Sequence, residues 1–355
     1  MEALSIYAGP KARETIEREG ISADTFSAVL GASGGPKWFV LYGLDKVLFS
    51  EFMDKRTQPV DIIGSSIGAF RSACFTQQDT KAAIERLADK YSNTVYSERP
   101  SVQEITSKGV ALLDYMMGDT GVDNVLNQQI KRLHIVVAKS RGLAAKERKW
   151  QQGTALGLAA ARNAIGRSKL QKSFTRVVFS NTNTLLDFDE QIALQTEHVP
   201  LSASNTLMAL MATGSIPMVI QGVPDIPGAG RGMYRDGGII DYHFDIKLNT
   251  PGLVLYPHFA KTPIPGWFDK GLKRRQCHPS SYDNVVMLVP SDEFIASLPY
   301  QKIPDRKDFS KMSPEQRIPY WHKVMAESER LAQAFVEWVG SSNPSKNVQA
   351  IRLQR

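Results

Sequence analysis

The sequence predicts an α/β fold, a three-layer sandwich with a mostly parallel central sheet, formed as one unit over residues 1–355. Three observations carry this expectation. Short apolar runs alternate along the chain with segments whose apolar residues follow helical spacing. One run, Val60-Asp61-Ile62-Ile63, leads into Gly64-Ser65-Ser66-Ile67-Gly68, a G-x-S-x-G turn between a strand and a helix. The composition, 42% apolar and 22% charged over 355 residues, is that of a folded chain with a sizeable core.

The elements follow in order. Residues 11–19 read as a short helix stopped by Gly20, and 26–30 as a strand. The loop Gly31-Ala32-Ser33-Gly34-Gly35-Pro36-Lys37 then opens a helical segment at 39–48. Pro36 suits a first helical position because the N–H it lacks would be unpaired there. Residues 67–76, with Phe70, Cys74 and Phe75, predict a buried helix in which Cys74 packs as a small apolar group. Helices are expected at 82–91, 102–117 and 206–211, and strands at 134–138, 176–180, 252–256 and 284–289. Ser313-Pro314-Glu315-Gln316 is a capping box that opens one helix, with a stripe running from Trp321 to Trp338 and a stop at Gly340. The core is read as about 26–290, with a basic insertion at about 142–172 and a C-terminal helical extension at about 300–355.

The chemistry is concentrated at three places. A serine hydroxyl is a weak nucleophile and needs a base beside it. Asp236, which opens Asp236-Gly237-Gly238 170 residues after Ser66, is the leading candidate. Gly34 and Gly35 present bare N–H groups at a helix start, where the dipole favours negative charge. With Ile67, the residue after the nucleophile, they are the candidate oxyanion donors. Losing one such donor costs about 2.7–4 kcal/mol of transition-state stabilisation. Taken singly, G-x-S-x-G marks only a tight turn and Asp-Gly-Gly more often a hairpin. In this order they point to acyl transfer. His243, seven residues after Asp236, gives the rival chain order Ser…Asp…His of an α/β-hydrolase triad.

Together these motifs resemble the patatin-like phospholipase family. The resemblance runs through Gly34-Gly35-Pro36-Lys37, Gly64-Ser65-Ser66-Ile67-Gly68, and the stretch from Ala212-Thr213-Gly214-Ser215-Ile216-Pro217 to Tyr234-Arg235-Asp236-Gly237-Gly238. It implies a Ser66–Asp236 dyad without histidine, a glycine-rich oxyanion loop, and a lipid acyl ester substrate, a phospholipid or lysophospholipid. Where the family usually opens that loop Asp-Gly-Gly-Gly, this chain has Gly-Ala-Ser-Gly-Gly, and Trp38 replaces a glycine often found after the basic residue. Two other function classes stay open: a carboxylesterase that depends on His243, and a lipid-binding protein without catalysis.

No cofactor and no metal is expected. Cys74 and Cys277 make no disulfide framework, and no Cys/His cluster has zinc spacing. A nucleotide-binding loop at 31–37 is set aside because Lys37 is followed by Trp38, which offers no hydroxyl to magnesium. Lys37 and Arg71 read as solvated pairs with surface acids, in preference to the alternative that they help hold a lipid phosphate. A carboxylate base predicts activity without a group titrating near 6.5.

The net charge of +7 is concentrated: residues 131–176 hold twelve Lys and Arg against Glu147 alone, +11 in one segment. That segment reads either as a solvated loop with poor helical periodicity, weakened by Gly153, Gly157 and Gly166, or as a peripheral contact to an anionic membrane. Nucleic acid is not expected, since no base-reading motif accompanies the charge. The N-terminus lacks a secretory signal pattern and no apolar run is long enough to span a membrane, so a cytoplasmic location is expected, with membrane contact at most peripheral. Oligomeric state is not legible.

Overall fold

The computed structural model describes residues 3–192 and 194–353. In chain order, β1 (Leu4–Ala8) leads to α1 (Pro10–Glu19), and β2 (Phe26–Gly31) leads through the glycine loop to α2 (Tyr42–Val47). β3 (Val60–Ser65) runs into α3 (Ile67–Phe75), followed by α4 (Thr80–Ser92), α5 (Val102–Met117) and α6 (Gly121–Asn127). Next come β4 (Lys131–Ser140), α7 (Lys149–Ile165), β5 (Phe174–Ser180), β6 (Phe188–Glu190), β7 (Thr196–Pro200) and α8 (Thr206–Thr213). The short strands β8 (Val223–Pro224), β9 (Met233–Asp236) and β10 (Ile246–Leu248) precede β11 (Leu253–Pro257) and β12 (Val285–Pro290). α9 (Asp292–Ser297), α10 (Asp308–Lys311), α11 (Pro314–Glu327), α12 (Glu329–Val339) and β13 (Val348–Ala350) complete the chain.

The main sheet runs β13-β1-β12-β11-β2-β3-β4-β5-β7, and its central pairs from β12 to β4 are parallel. Helices cover both faces, which gives the three-layer sandwich expected. Parallel strands buried on both faces read as continuous apolar runs, and this is why 26–30, 60–63 and 285–289 were legible. β1 joins the same sheet antiparallel to β12, so the sheet begins upstream of residue 26.

One detail of register positions the site. β3 occupies the edge of β4 from Lys131 to Val136, and β9 takes over that edge from Val137 to Ser140. β5 holds the other edge. The end of β3, at Ser65, and the end of β9, at Asp236, therefore meet head to head on one strand.

The core centres on Trp38, Phe39 and Trp321, all fully buried, with the rings of Phe39 and Trp321 5.1 Å apart. Each large apolar side chain so buried contributes about 1.5–3 kcal/mol.

Three expectations are corrected. The single C-terminal helix is two: Ser328 interrupts it, accepting the Gly43 N–H at 2.8 Å where the chain crosses α2. Arg71 is not a solvated cation. It is fully buried and holds both carboxylate oxygens of Asp45, at 2.7 and 2.6 Å. Finally, residues 149–165 are a helix, not a solvated loop. α7 turns Gln152, Ala155, Ala159 and Asn163 inward, and these two inward alanines sit in a small apolar cluster with Leu170, Phe174, Ile239 and Ile240.

Candidate active site

Ser66 stands at the turn between β3 and α3 with φ 53° and ψ −131°, a left-handed conformation that side chains rarely adopt. Two contacts hold it there. Its N–H donates to Thr213 Oγ1 at 2.8 Å, and Thr213 Oγ1–H donates to the Val136 carbonyl at 2.6 Å. The turn closes because residues 31 and 68 are both glycine. A Cβ on Gly68 would lie 1.9 Å from the Gly31 carbonyl oxygen, so any side chain would push α3 off β2. Gly64, at the other end of the elbow, lies in β3 and is packed against Ala69.

The Ser66 Oγ–H donates to Asp236 Oδ2 at 2.9 Å. The other oxygen, Oδ1, accepts the N–H of Gly238 at 2.7 Å, within the turn that Gly237 opens. Burial pushes the Asp236 carboxyl up to about 6, against the pull of the Gly238 and Ser66 hydrogen bonds. That brings the carboxylate close to the ordinary histidine range, so a titration near 6 would not by itself point to a histidine.

Gly34, Gly35 and Ile67 border the same cavity as Ser66 and Asp236. Gly35 has φ +57° and begins a 3-10 turn, and Ile67 begins α3, so their N–H groups fall among those a helix leaves without a partner of its own. The neighbouring Ser33 N–H is spent on the Tyr242 carbonyl at 3.0 Å. Behind the elbow, Ser65 Oγ–H donates to the Asp241 carbonyl at 2.6 Å and lies 2.8 Å from Ser33 Oγ. This ties the glycine loop to the segment after Asp236.

His243 also borders the cavity, but its Nδ1 accepts the Ile264 N–H at 2.9 Å. Burial, with His258 beside it, drives its pKa well below the usual value, so the ring is neutral. Among the described residues no hydrogen bond joins His243 to Ser66 or Asp236.

The cavity measures about 560 Å³. Its lining includes the apolar Phe70, Ile105, Leu112, Met211 and Ile220, with Lys108 on the same face of α5 as Ile105 and Leu112, and a cationic part where Lys37, Lys270 and Arg306 are neighbours. Lys37, read from sequence as solvated, is half-buried, pairs with Asp305 at 3.7 Å and lies 5.5 Å from the Phe259 ring centre. Lys270 keeps an exposed edge, but its Nζ lies 3.7 Å from the Tyr242 ring centre. Loss of water there, with Lys37 nearby, pushes its pKa down to about 8. Among the described residues no ion pair neutralises Lys270 or Arg306.

Sequence reasoning missed Thr213, Ser33 and Lys270. Thr213 lies inside one of the stretches that carried the resemblance, although no role could be read for it. Lys270 has no local signal at all. Trp38, the departure after Lys37, is fully buried, its ring 6.4 Å from that of Tyr42. Among the described residues no group of His, Cys, Asp or Glu is placed to hold a metal ion, and no helix is long and apolar enough to cross a membrane.

No protein-family model matches the chain, and no curated protein matches it by sequence. Among solved structures, it is similar to VipD from Legionella pneumophila at 13% identity and a TM-score of 0.32. That alignment covers 77% of this chain and 56% of VipD, so this chain spans little more than half of that one. A likeness at that score carries no argument about activity.

Proposed function

We propose that the protein is a serine hydrolase of lipid acyl esters, working through Ser66 and Asp236. The observation that carries this reading is the direct 2.9 Å hydrogen bond from a strained-elbow serine to a buried carboxylate, on the wall of a large apolar cavity. Asp236 Oδ2 takes the Ser66 proton as Oγ attacks the ester carbonyl carbon. The N–H groups of Gly34, Gly35 and Ile67 receive the negative charge that forms on the carbonyl oxygen. Asp236 then gives its proton to the departing alkoxide, leaving an acyl-serine. Water attacks that ester, with Asp236 again taking the proton, and the fatty acid leaves. The apolar wall suits an acyl chain, and the cationic wall suits a phosphate, which supports a phospholipid or lysophospholipid as substrate.

The test is labelling with a fluorophosphonate probe followed by mass spectrometry. The adduct is expected on Ser66, and it should be absent from Asp236→Asn. An adduct on any other residue, or a protein that never labels, overturns the reading. Activity lost in His243→Ala, with the fold retained, would instead favour the triad.

A further inference from the structure

α7 is built inside out. Its inner face carries small or polar residues, Gln152, Ala155, Ala159 and Asn163. Its outer face carries the bulk: Trp150 is 65% exposed, Leu158 46% and Ile165 73%. Trp150, Thr154, Leu158, Ala161 and Ile165 are spaced four, four, three and four residues apart, which aligns them in one stripe. A helix that offers its largest apolar side chains to water calls for an apolar partner.

Charge identifies that partner. Five of the twelve cations in 131–176 are neutralised within the fold: Lys131 by Asp54, Arg132 by Asp61, Lys139 by Glu197, Arg167 by Asp269 and Arg176 by Asp241. This corrects the view that the whole segment faces a partner. Of the exposed remainder, five stand at the two ends of α7, Lys146, Arg148 and Lys149 at its start and Lys169 and Lys172 after it, while exposed Arg141 is bonded to Thr175 and Gln195. α7 itself contains no acid, and the carboxylate of Glu147 is spent on buried Arg235 at 2.5 Å.

We propose that the outer face of α7, flanked by these five cations, docks on an anionic lipid surface. Such a helix lies in the plane of the interface, with Trp150 among the headgroups, Leu158 and Ile165 in the acyl region, and the ammonium and guanidinium groups on lipid phosphates. A second copy of the chain is the poorer occupant, because a symmetric contact through this face would set like charges against each other. Nucleic acid would satisfy the cations and leave Leu158 and Ile165 without a counterpart.

The position of α7 gives the contact a use. Gln152 Oε1 accepts the Met218 N–H at 2.9 Å, and Asn163 Nδ2–H donates to Asp269 at 2.6 Å. Those two turns carry the cavity-lining residues Ile216, Pro217, Trp267 and Lys270. α7 therefore links the proposed lipid contact on its outer face to two turns of the cavity rim on its inner face.

The experiment is co-sedimentation of the Ser66→Ala protein with vesicles of phosphatidylcholine plus phosphatidylserine, against phosphatidylcholine alone. Using the inactive protein keeps the result independent of the proposed hydrolysis. Binding to the anionic vesicles is expected to weaken with added salt. It should fall about tenfold or more in Trp150→Ser/Leu158→Ser/Ile165→Ser, and likewise when the five cations become Gln. Thermal melting checks that both variants stay folded, and Lys81→Gln, remote in sequence, should bind as the parent does. Equal binding by parent and α7 variants overturns the proposal, as does a parent that ignores anionic vesicles. A dimer that the serine substitutions dissolve also overturns it, by assigning the face to a second copy.

Discussion

α3 and α7 both follow a strand of the same sheet, α3 lining the candidate site and α7 bonded to two turns at its rim, yet they spend their side chains in opposite ways. All nine residues of α3, from Ile67 to Phe75, are buried, and its apolar character reports the core around it. α7 buries alanine, glutamine and asparagine and leaves tryptophan, leucine and isoleucine outside. Hydrophobicity reports the environment of a face, and that environment need not be supplied by the chain itself. On the two proposals above, the difference separates two tasks: α3 holds the chemistry rigid, whereas α7 presents a surface.

The largest expected effect tests the α3 side. Ser66→Ala and Asp236→Asn should each lower ester hydrolysis by roughly three orders of magnitude or more, because nucleophile and base act as a unit. Circular dichroism and melting should show the fold retained. The triple serine variant of α7 should hydrolyse a short soluble ester as the parent does. If it loses that activity too, the separation of tasks is wrong.

The next effect concerns pH, with its sign fixed by burial. In the folded state Asp236 is pushed up from 3.8 to about 6, so the fold holds that proton more tightly than the unfolded chain does. The stabilisation is complete below pH about 4 and is lost as pH rises through about 6. Above that, the buried carboxylate costs roughly 2–3 kcal/mol, a burden Asn lacks. Asp236→Asn should therefore melt higher than the parent at pH 8, with the gap closing toward pH 4. Hydrolysis by the parent should rise through an apparent pKa near 6, and His243→Ala should keep that limb. A limb that disappears with His243 would transfer the base to histidine.

A smaller effect is expected at the cationic wall. Lys270→Gln should raise KM about tenfold for a phosphate-bearing lysolipid and leave KM for an uncharged monoacylglycerol unchanged, the cost of one charge-assisted contact. Lys270, at about 8, has Lys37, Arg306, Asp305 and Asp236 among its charged neighbours. In the parent, KM for the phosphorylated substrate should therefore climb above pH 8, and Lys270→Arg should abolish the climb. Equal KM shifts for both substrates would show that Lys270 only shapes the wall.

What was legible in the sequence follows a physical rule. Gly64 to Gly68, Gly34-Gly35 and Asp236-Gly237-Gly238 stood out because tight backbone geometry restricts residue type locally. The central strands stood out because burial on both faces leaves unbroken apolar runs. Thr213 did not stand out, since its role is a pair of hydrogen bonds to residues 147 and 77 positions away. Arg71 was misread because its partner Asp45 lies 26 residues upstream with nothing local to mark it. α7 was misread for a different reason. Its periodicity is that of a helix whose outer face is the apolar one, and a rule that equates apolar with buried assigns it no face at all.

Glycine gives the smallest and sharpest form of the comparison. In the elbow, Gly68→Ala would force a Cβ to 1.9 Å from a backbone oxygen, so α3 must move and the Ser66–Asp236 hydrogen bond with it. In α7, a Cβ at Gly153 or Gly157 meets nothing within 4 Å, and neither residue has a left-handed φ. There glycine only weakens the helix, by about 0.5–1 kcal/mol relative to alanine. Gly153→Ala and Gly157→Ala should each raise the melting temperature by a degree or so, about what 0.5 kcal/mol gives in a chain of this size. Neither should change hydrolysis of a soluble ester. Both lie toward the exposed side of α7, so the added methyl groups should leave vesicle binding equal or slightly stronger. If either substitution destabilises the protein, α7 is packed against something more than its inner cluster, and the contrast with α3 narrows to one of degree.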